Sequence, residues 1–348
     1  MISNFIKHRC SLVFAVSMLL SFDTAVANEF FAESIPVDDR SQSSLDQAAE
    51  MAMTRMLIRV SGDETVVERP AFSAAVKKAT RHLSLYSYRD SDTGTEAYFE
   101  FDDLWVRSLF REEGVPYWDE RRPPIVVWLV VDEPFSRRFA ARSDDPDVLT
   151  QSITPFADRG VTVRFPLLDL EDAAALPIDS AWSRDTNRIR LATGRYNAEH
   201  ALVGRWIALS DGSKLVDWTY VGPSSIDNRQ LRTDNDERSW QLGIDLAVDS
   251  MRDQYAVTLQ RFTDAFAIKV SVAGVSDYAD YRAVTSLFDD LGELVDLRVD
   301  SVADDRLIYR VLGVSSAEEV VRLIPERSGL RIDNIVSRNQ LNLLWGEG

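Results

Sequence analysis

IVVWLVV, at residues 125–131, is a continuous apolar run that ends at Asp132. A strand with one face in water alternates apolar and polar residues, because successive side chains point to opposite faces. A strand with no polar position is buried on both, and this run carries that signature. Immediately upstream, residues 119–124 (DERRPP) are charged and closed by proline, which fits a linker better than any regular element.

Downstream of the run the pattern alternates between helix and strand. A helix is expected over 147–159 with a stop at Gly160, then a short strand over 161–165 and a helix over 185–195. A hairpin over 200–221 turns at Asp211-Gly212, and Trp240, Ile244, Val248, Met251 and Tyr255 recur at the spacing of an amphipathic helix. This order predicts an α/β layered domain with a mixed sheet over 125–262. Upstream, a strand over 29–37 precedes a helix with Ser44 and Gln47 as its capping box and Gly62 as its stop. A second helix near Pro70, strands over 83–89 and 96–101, and a helix capped by Asp102 or Asp103 complete a small α+β domain over 28–118. Residues 263–348 read as strand, helix, strand, strand, helix, strand, the βαββαβ order of a ferredoxin-like domain. That fold hosts many unrelated activities, so it carries no chemistry by itself.

Residues 1–27 read as a cleavable secretory signal peptide. Lys7, His8 and Arg9 form the basic region, an apolar stretch runs from Leu12 to Phe22, and Ala25-Val26-Ala27 offers the small-x-small cleavage pattern, so the mature chain would start at Asn28. The expected compartment is the periplasm. Cys10, the only cysteine, falls within the signal, which leaves a mature chain with no thiol for a disulfide, a metal or a nucleophile. The formal net charge of −17 becomes slightly more negative on cleavage, because more basic than acidic side chains leave with the signal. Such a balance disfavours nucleic acid and anionic lipid surfaces as partners.

Several short blocks together resemble the exported proteobacterial domain-of-unknown-function 2066 family. They are Val60-Ser61-Gly62, RPPIVVWLVVD at 122–132, Gly204-Arg205-Trp206, and Val272-Ala273-Gly274-Val275 followed by Asp280-Tyr281. The resemblance implies a Gram-negative envelope setting and supplies no activity, cofactor or functional residue. The order of elements in the middle domain also resembles the small α/β domains of periplasmic proteins such as the N-terminal domain of the Tol-system translocation protein.

Chemistry-bearing patterns are sparse. His82 and His200 are far apart, and Glu199-His200 are neighbours in a strand whose side chains diverge, so His200 reads as a surface or strand-end histidine. Asp90, Asp92 and Glu100 resemble the start of a calcium loop, but Thr95 and Phe101 stand where that loop needs glycine and glutamate, which leaves a hairpin turn. The acids Asp144, Asp145 and Asp147 read as a loop entering a helix N-terminus. No cofactor, metal or catalytic residue is therefore assigned. The leading expectation is a non-enzymatic interaction or accessory module of the cell envelope; the alternative is a hydrolase of cell-wall glycan or peptide that uses scattered carboxylates.

The candidate binding residues are Arg205, Trp206, Trp218 and Tyr220. A two-residue turn at Asp211-Gly212 would set Arg205 opposite Trp218 and Trp206 opposite Asp217. Arg205, Trp218 and Tyr220 would then share one face, Trp206 and Asp217 the other, and both faces would be substantially apolar. Either helices cover both, or one stays partly open with Arg205 stacked on Trp218 as a docking pair.

Overall fold

The computed structural model describes residues 29–91, 94–133, 136–260, 267–289, 295–303, 305–325 and 328–346. The expected signal peptide lies outside the described residues, as do Asp92 and Thr93 of the 91–94 turn. The described residues form a mixed α and β protein with three main sheets.

The first sheet holds β1 (Ala32–Val37), β2 (Leu83–Ser91) and β3 (Gly94–Phe101) in the order β1-β3-β2, all antiparallel. It packs on α1 (Gln42–Ser61), with α2 (Pro70–Val76) and α3 (Asp103–Glu113) alongside. Helix α1 buries Leu45, Ala48, Ala52, Met56 and Val60 as one stripe and ends at Gly62, whose φ of 67° only glycine adopts freely. Its cap sits earlier than Ser44: Ser41 Oγ accepts from Ser44 N at 3.3 Å, because Ser41 is the last residue with extended backbone. Asp102 caps α3 through Trp105 N, as its sequence suggests.

The central sheet is built around the 125–131 run. It comprises β5 (Ile125–Glu133), β6 (Ser136–Phe139), β7 (Val163–Arg164), β8 (His200–Ala208), β9 (Lys214–Val221) and β10 (Ile226–Thr233), in the order β10-β9-β8-β5-β6 with β7 also beside β5. Strands β5 and β8 are parallel and the hairpin strands β8, β9 and β10 antiparallel, so the sheet is mixed. Ile125, Val127 and Leu129 face one core with α4 (Pro146–Thr150), α5 (Ile153–Asp158) and the long α9 (Asp236–Tyr255). Val126, Trp128 and Val130 face the opposite core under α6 (Leu170–Ala175), α7 (Ile178–Trp182) and α8 (Thr186–Gly194). The helix expected over 147–159 is thus broken in two at residues 151–152, and α6 and α7 are additional.

The last sheet holds β12 (Ile268–Ala273), β13 (Asp296–Ala303), β14 (Arg306–Leu312), β15 (Leu330–Ser337) and β16 (Gln340–Trp345), in the order β13-β14-β12-β16-β15. Helices α10 (Tyr278–Asp289) and α11 (Ala317–Leu323) cover one face through Val284, Phe288, Val320 and Leu323. The split βαβ core is present, since β14 lies between β12 and β13. The fourth seat differs from a plain βαββαβ order: β16 takes the place beside β12, runs parallel to it, and pushes β15 to the edge.

Two short strands, β4 (Pro116–Tyr117) and β11 (Val257–Thr258), pair where the chain leaves the first sheet and approaches the last. Around them one apolar core joins both sheets, with Val115, Tyr117, Val257 and Leu259 contributing to it. Residues 119–124 form no helix or strand, yet they are anchored. The Arg122 guanidinium is buried and donates to the backbone oxygens of Arg59 at 2.6 Å, Trp118 at 2.6 Å and Arg159 at 2.7 Å. Burial pulls its pKa down to about 9, against the weaker opposing influence of Tyr117 and Asp119. Arg159 in turn donates to Gly62 O, Asp245 and Asp249. Among the described residues no helix is long and apolar enough to cross a membrane.

Candidate functional site

The hairpin that carries the expected binding residues has a different register. Leu209 N donates to Ser213 O at 2.8 Å, so the loop is the three residues Ser210-Asp211-Gly212, with Gly212 at φ 82°. A third loop residue shifts every pair by one position and moves β9 side chains to the opposite face relative to β8. Arg205 therefore faces Asp217, Gly204 faces Trp218 and Leu202 faces Tyr220.

Trp206, Trp218 and Tyr220 consequently share the face beneath α9. Trp218 is 0% exposed and Trp206 5%, and both rings meet Trp240 of α9, at centroid distances of 5.0 Å for Trp218 and 5.6 Å for Trp206. Trp218 is wedged between two glycines. A methyl at Gly243 would stand 2.6 Å from its Cδ2, and one at Gly204 2.7 Å from its Cη2. Arg205 does not stack on Trp218. It lies on the opposite face, over Trp182 at 5.2 Å, and donates to Asp217. Helices cover both faces, so these residues form no open docking pair.

Tyr220 leads to a site that the sequence did not reveal. His200, at the first position of β8, is wholly buried, with Nδ1 2.7 Å from Tyr220 Oη and Nε2 2.8 Å from Tyr255 Oη. Gln254 Nε2 donates to Tyr255 Oη at 3.2 Å. A neutral imidazole donates through one nitrogen and accepts through the other, so one tyrosine accepts from the ring and the other donates to it. Burial lowers the His200 pKa to about 4 and raises that of Tyr220, so both groups are uncharged at neutral pH. His200 stands at a strand end, as its sequence suggests, but it is not on the surface; the tyrosines that enclose it are distant in sequence.

Half-buried Tyr255, at the end of α9, is also a wall of a groove of about 590 Å³ between the central and last sheets. The opposite wall is apolar and comes from Val321 and Ile324 of the α11 region and Ile332 and Ile335 of β15. Ile332 pairs with Leu343 and Ile335 with Leu341, so both point toward the helix-covered side of the sheet. They nevertheless remain 54% and 41% exposed, on a strand that forms the edge of the sheet. Glu199, Tyr255, Arg322, Ile324 and Pro325 are shared with an adjoining, more polar cleft of about 790 Å³ beside Arg122.

The groove carries little acid–base chemistry. The Glu318 carboxyl is held low by its own helix's backbone N–H and by Ser316, so it is ionised at neutral pH. Burial raises the carboxyls of Glu33 and Asp245, but these engage Arg59 and Arg159 and neither lines the groove. Among the described residues no group of three His, Cys, Asp or Glu side chains is placed to hold a metal. Asp90 pairs with Arg40 at 2.9 Å, and Asp145 with Arg138 at 2.6 Å.

A family described as Domain of unknown function (DUF8605) matches residues 25–119. The match spans the first sheet with its helices and stops before the groove. No curated protein matches the chain.

Proposed function

We propose that this chain is an exported, non-enzymatic interaction module of the bacterial cell envelope, which takes an extended apolar stretch of a partner polypeptide into the groove beside Tyr255. One observation carries the reading: Ile332 and Ile335, on the core-facing side of an edge strand, remain exposed opposite Tyr255 and Pro223. Large aliphatic side chains are normally buried, and a contiguous exposed set with a polar rim is characteristic of binding surfaces. Glu199 and Arg322 form that rim. The basic start, apolar stretch and Ala-x-Ala pattern of residues 1–27 support export, and the resemblance to the 2066 family supports an envelope setting.

Selection of short random peptides on the intact protein tests this. Selected peptides should carry apolar residues at alternate positions, and Ile335→Glu should abolish their binding while leaving the circular dichroism spectrum unchanged. Peptides that bind Ile335→Glu as well as the parent would refute the groove. Hydrolysis of purified cell-wall glycan or peptide that disappears in Glu199→Gln or Glu318→Gln would favour the carboxylate-dependent hydrolase instead.

A further inference from the structure

The face of the last sheet away from α10 and α11 is open, and the strand register sets its side chains in three cross-strand rows. The first row runs Arg298, Arg310, Lys269, Gln340 and Ser337. The second runs Ser301, Ile308, Ser271, Asn342 and Asn334. The third runs Arg306, Ala273, Leu344 and Arg331. Two rows with five cations thus border a middle row of four polar residues and Ile308, in a chain whose net charge is −17. Asp296 pairs with Arg298 and Asp300 with Arg310 at the β13 edge. Lys269, Arg306 and Arg331 are exposed and make no ion pair among the described residues; the exposed acids nearest them in sequence are Asp305, beside Arg306, and Asp333, at the β15 bulge, so the positive excess is small and centres on Lys269 of β12.

The dimensions fit one class of ligand. Adjacent strands are about 4.8 Å apart, so the middle row is about 19 Å long, the span of about six residues of extended chain. Rows on one face are spaced by two residues, about 6.7 Å, which sets the flanking cations within reach of side chains on either side of such a chain. The floor offers Asn334, Asn342 and Ser301, whose groups both donate and accept, as peptide amides require; Ser271 between them is buried. It offers no aromatic ring on which a base could stack, which disfavours a single-stranded nucleic acid. The overall negative charge opposes approach to an extended anionic bilayer, whereas a short acidic segment meets mainly the local positive field.

We propose that this open face docks an extended acidic segment of a partner polypeptide, laid across the strands between the two lines of cations. It is a surface separate from the groove, and it stands or falls independently of it.

The test uses the full chain and a fluorescein-labelled peptide of alternating Glu and Ser, followed by anisotropy. Binding is expected at low salt, and should weaken by about tenfold or more when Lys269→Glu, Arg306→Glu and Arg331→Glu are combined, as reversal of close charge pairs does. All three side chains are solvent-exposed, so circular dichroism should be unchanged. Ile335→Glu, in the groove, should leave peptide binding intact. Absence of binding by the parent, or equal binding by the triple variant, would overturn the proposal. So would charge-dependent sedimentation with anionic phospholipid vesicles in place of peptide binding, which would assign the face to a membrane surface.

Discussion

Arg205 of β8 stands opposite Asp217 of β9, and its Nη2 donates to Asp217 Oδ2 at 2.7 Å. The same oxygen accepts from Arg184 and Gln230, and Asp217 is 1% exposed. A buried carboxylate is tolerated only when its charge is compensated, so these donors fix which face of β9 turns toward α7.

Asp217→Ala should therefore destabilise the protein by roughly 3–5 kcal/mol, the usual cost of removing one partner from a buried ion pair. Arg184→Ala should cost less, because its side chain is more exposed than that of Arg205. Urea denaturation of the variants measures both. A loss below about 1 kcal/mol for Asp217→Ala, the scale of a surface pair, would mean that the pair is not buried.

The wedge of Trp218 between Gly204 and Gly243 makes a second prediction. Trp218→Ala should cost roughly 3–5 kcal/mol. Gly204→Ala should destabilise by overfilling, since the added methyl meets the six-membered ring of Trp218 and also Leu129. Trp218→Phe removes the Cη2 side of the indole, so Gly204→Ala should cost less in that background than in the parent. Strict additivity of the two changes in thermal unfolding would show that the wedge does not exist.

His200 predicts a pH dependence. An unfolded histidine titrates near 6.5 and the buried ring at about 4, so between these values the unfolded chain binds more protons. Stability is fully present above pH 6.5 and falls as the pH drops through the window. The slope is at most about 1.4 kcal/mol per pH unit, on the order of 3 kcal/mol in all. The raised carboxyls of Glu33 and Asp245 act in the opposite direction, so the informative quantity is the difference between parent and His200→Gln. That difference should grow with pH from about 4 to 6.5. A difference independent of pH would mean that His200 is charged in the folded state.

These sites show what the sequence could and could not disclose. Strand β5 was legible because its apolar run is short, follows two prolines and is rich in valine and isoleucine, and α9 because Trp240 to Tyr255 repeat at helical spacing. The hairpin register was not, because Ser210-Asp211-Gly212 accommodates a two-residue or a three-residue loop and Gly212 serves in either. Strand β10 hid behind the charged residues Asp227, Arg229 and Arg232 of an edge that needs no apolar face. The His200 partners lie 20 and 55 residues away, and the cation rows exist only once the β12–β16 register is known.

Export makes a simple prediction about the N-terminus. Mass spectrometry of protein recovered from a periplasmic fraction should show a chain starting at Asn28. Retention of Met1 would mean that residues 1–27 act as an anchor.

The groove is tested most directly by amide hydrogen exchange of the full chain with and without a saturating selected peptide. Protection should rise along β15, at residues 330–337, and at Gln254 and Tyr255, with the exposed Leu167, Leu170 and Leu191 region unchanged. Unaltered exchange along β15, with protection appearing elsewhere, would contradict the assignment of this groove as the docking site.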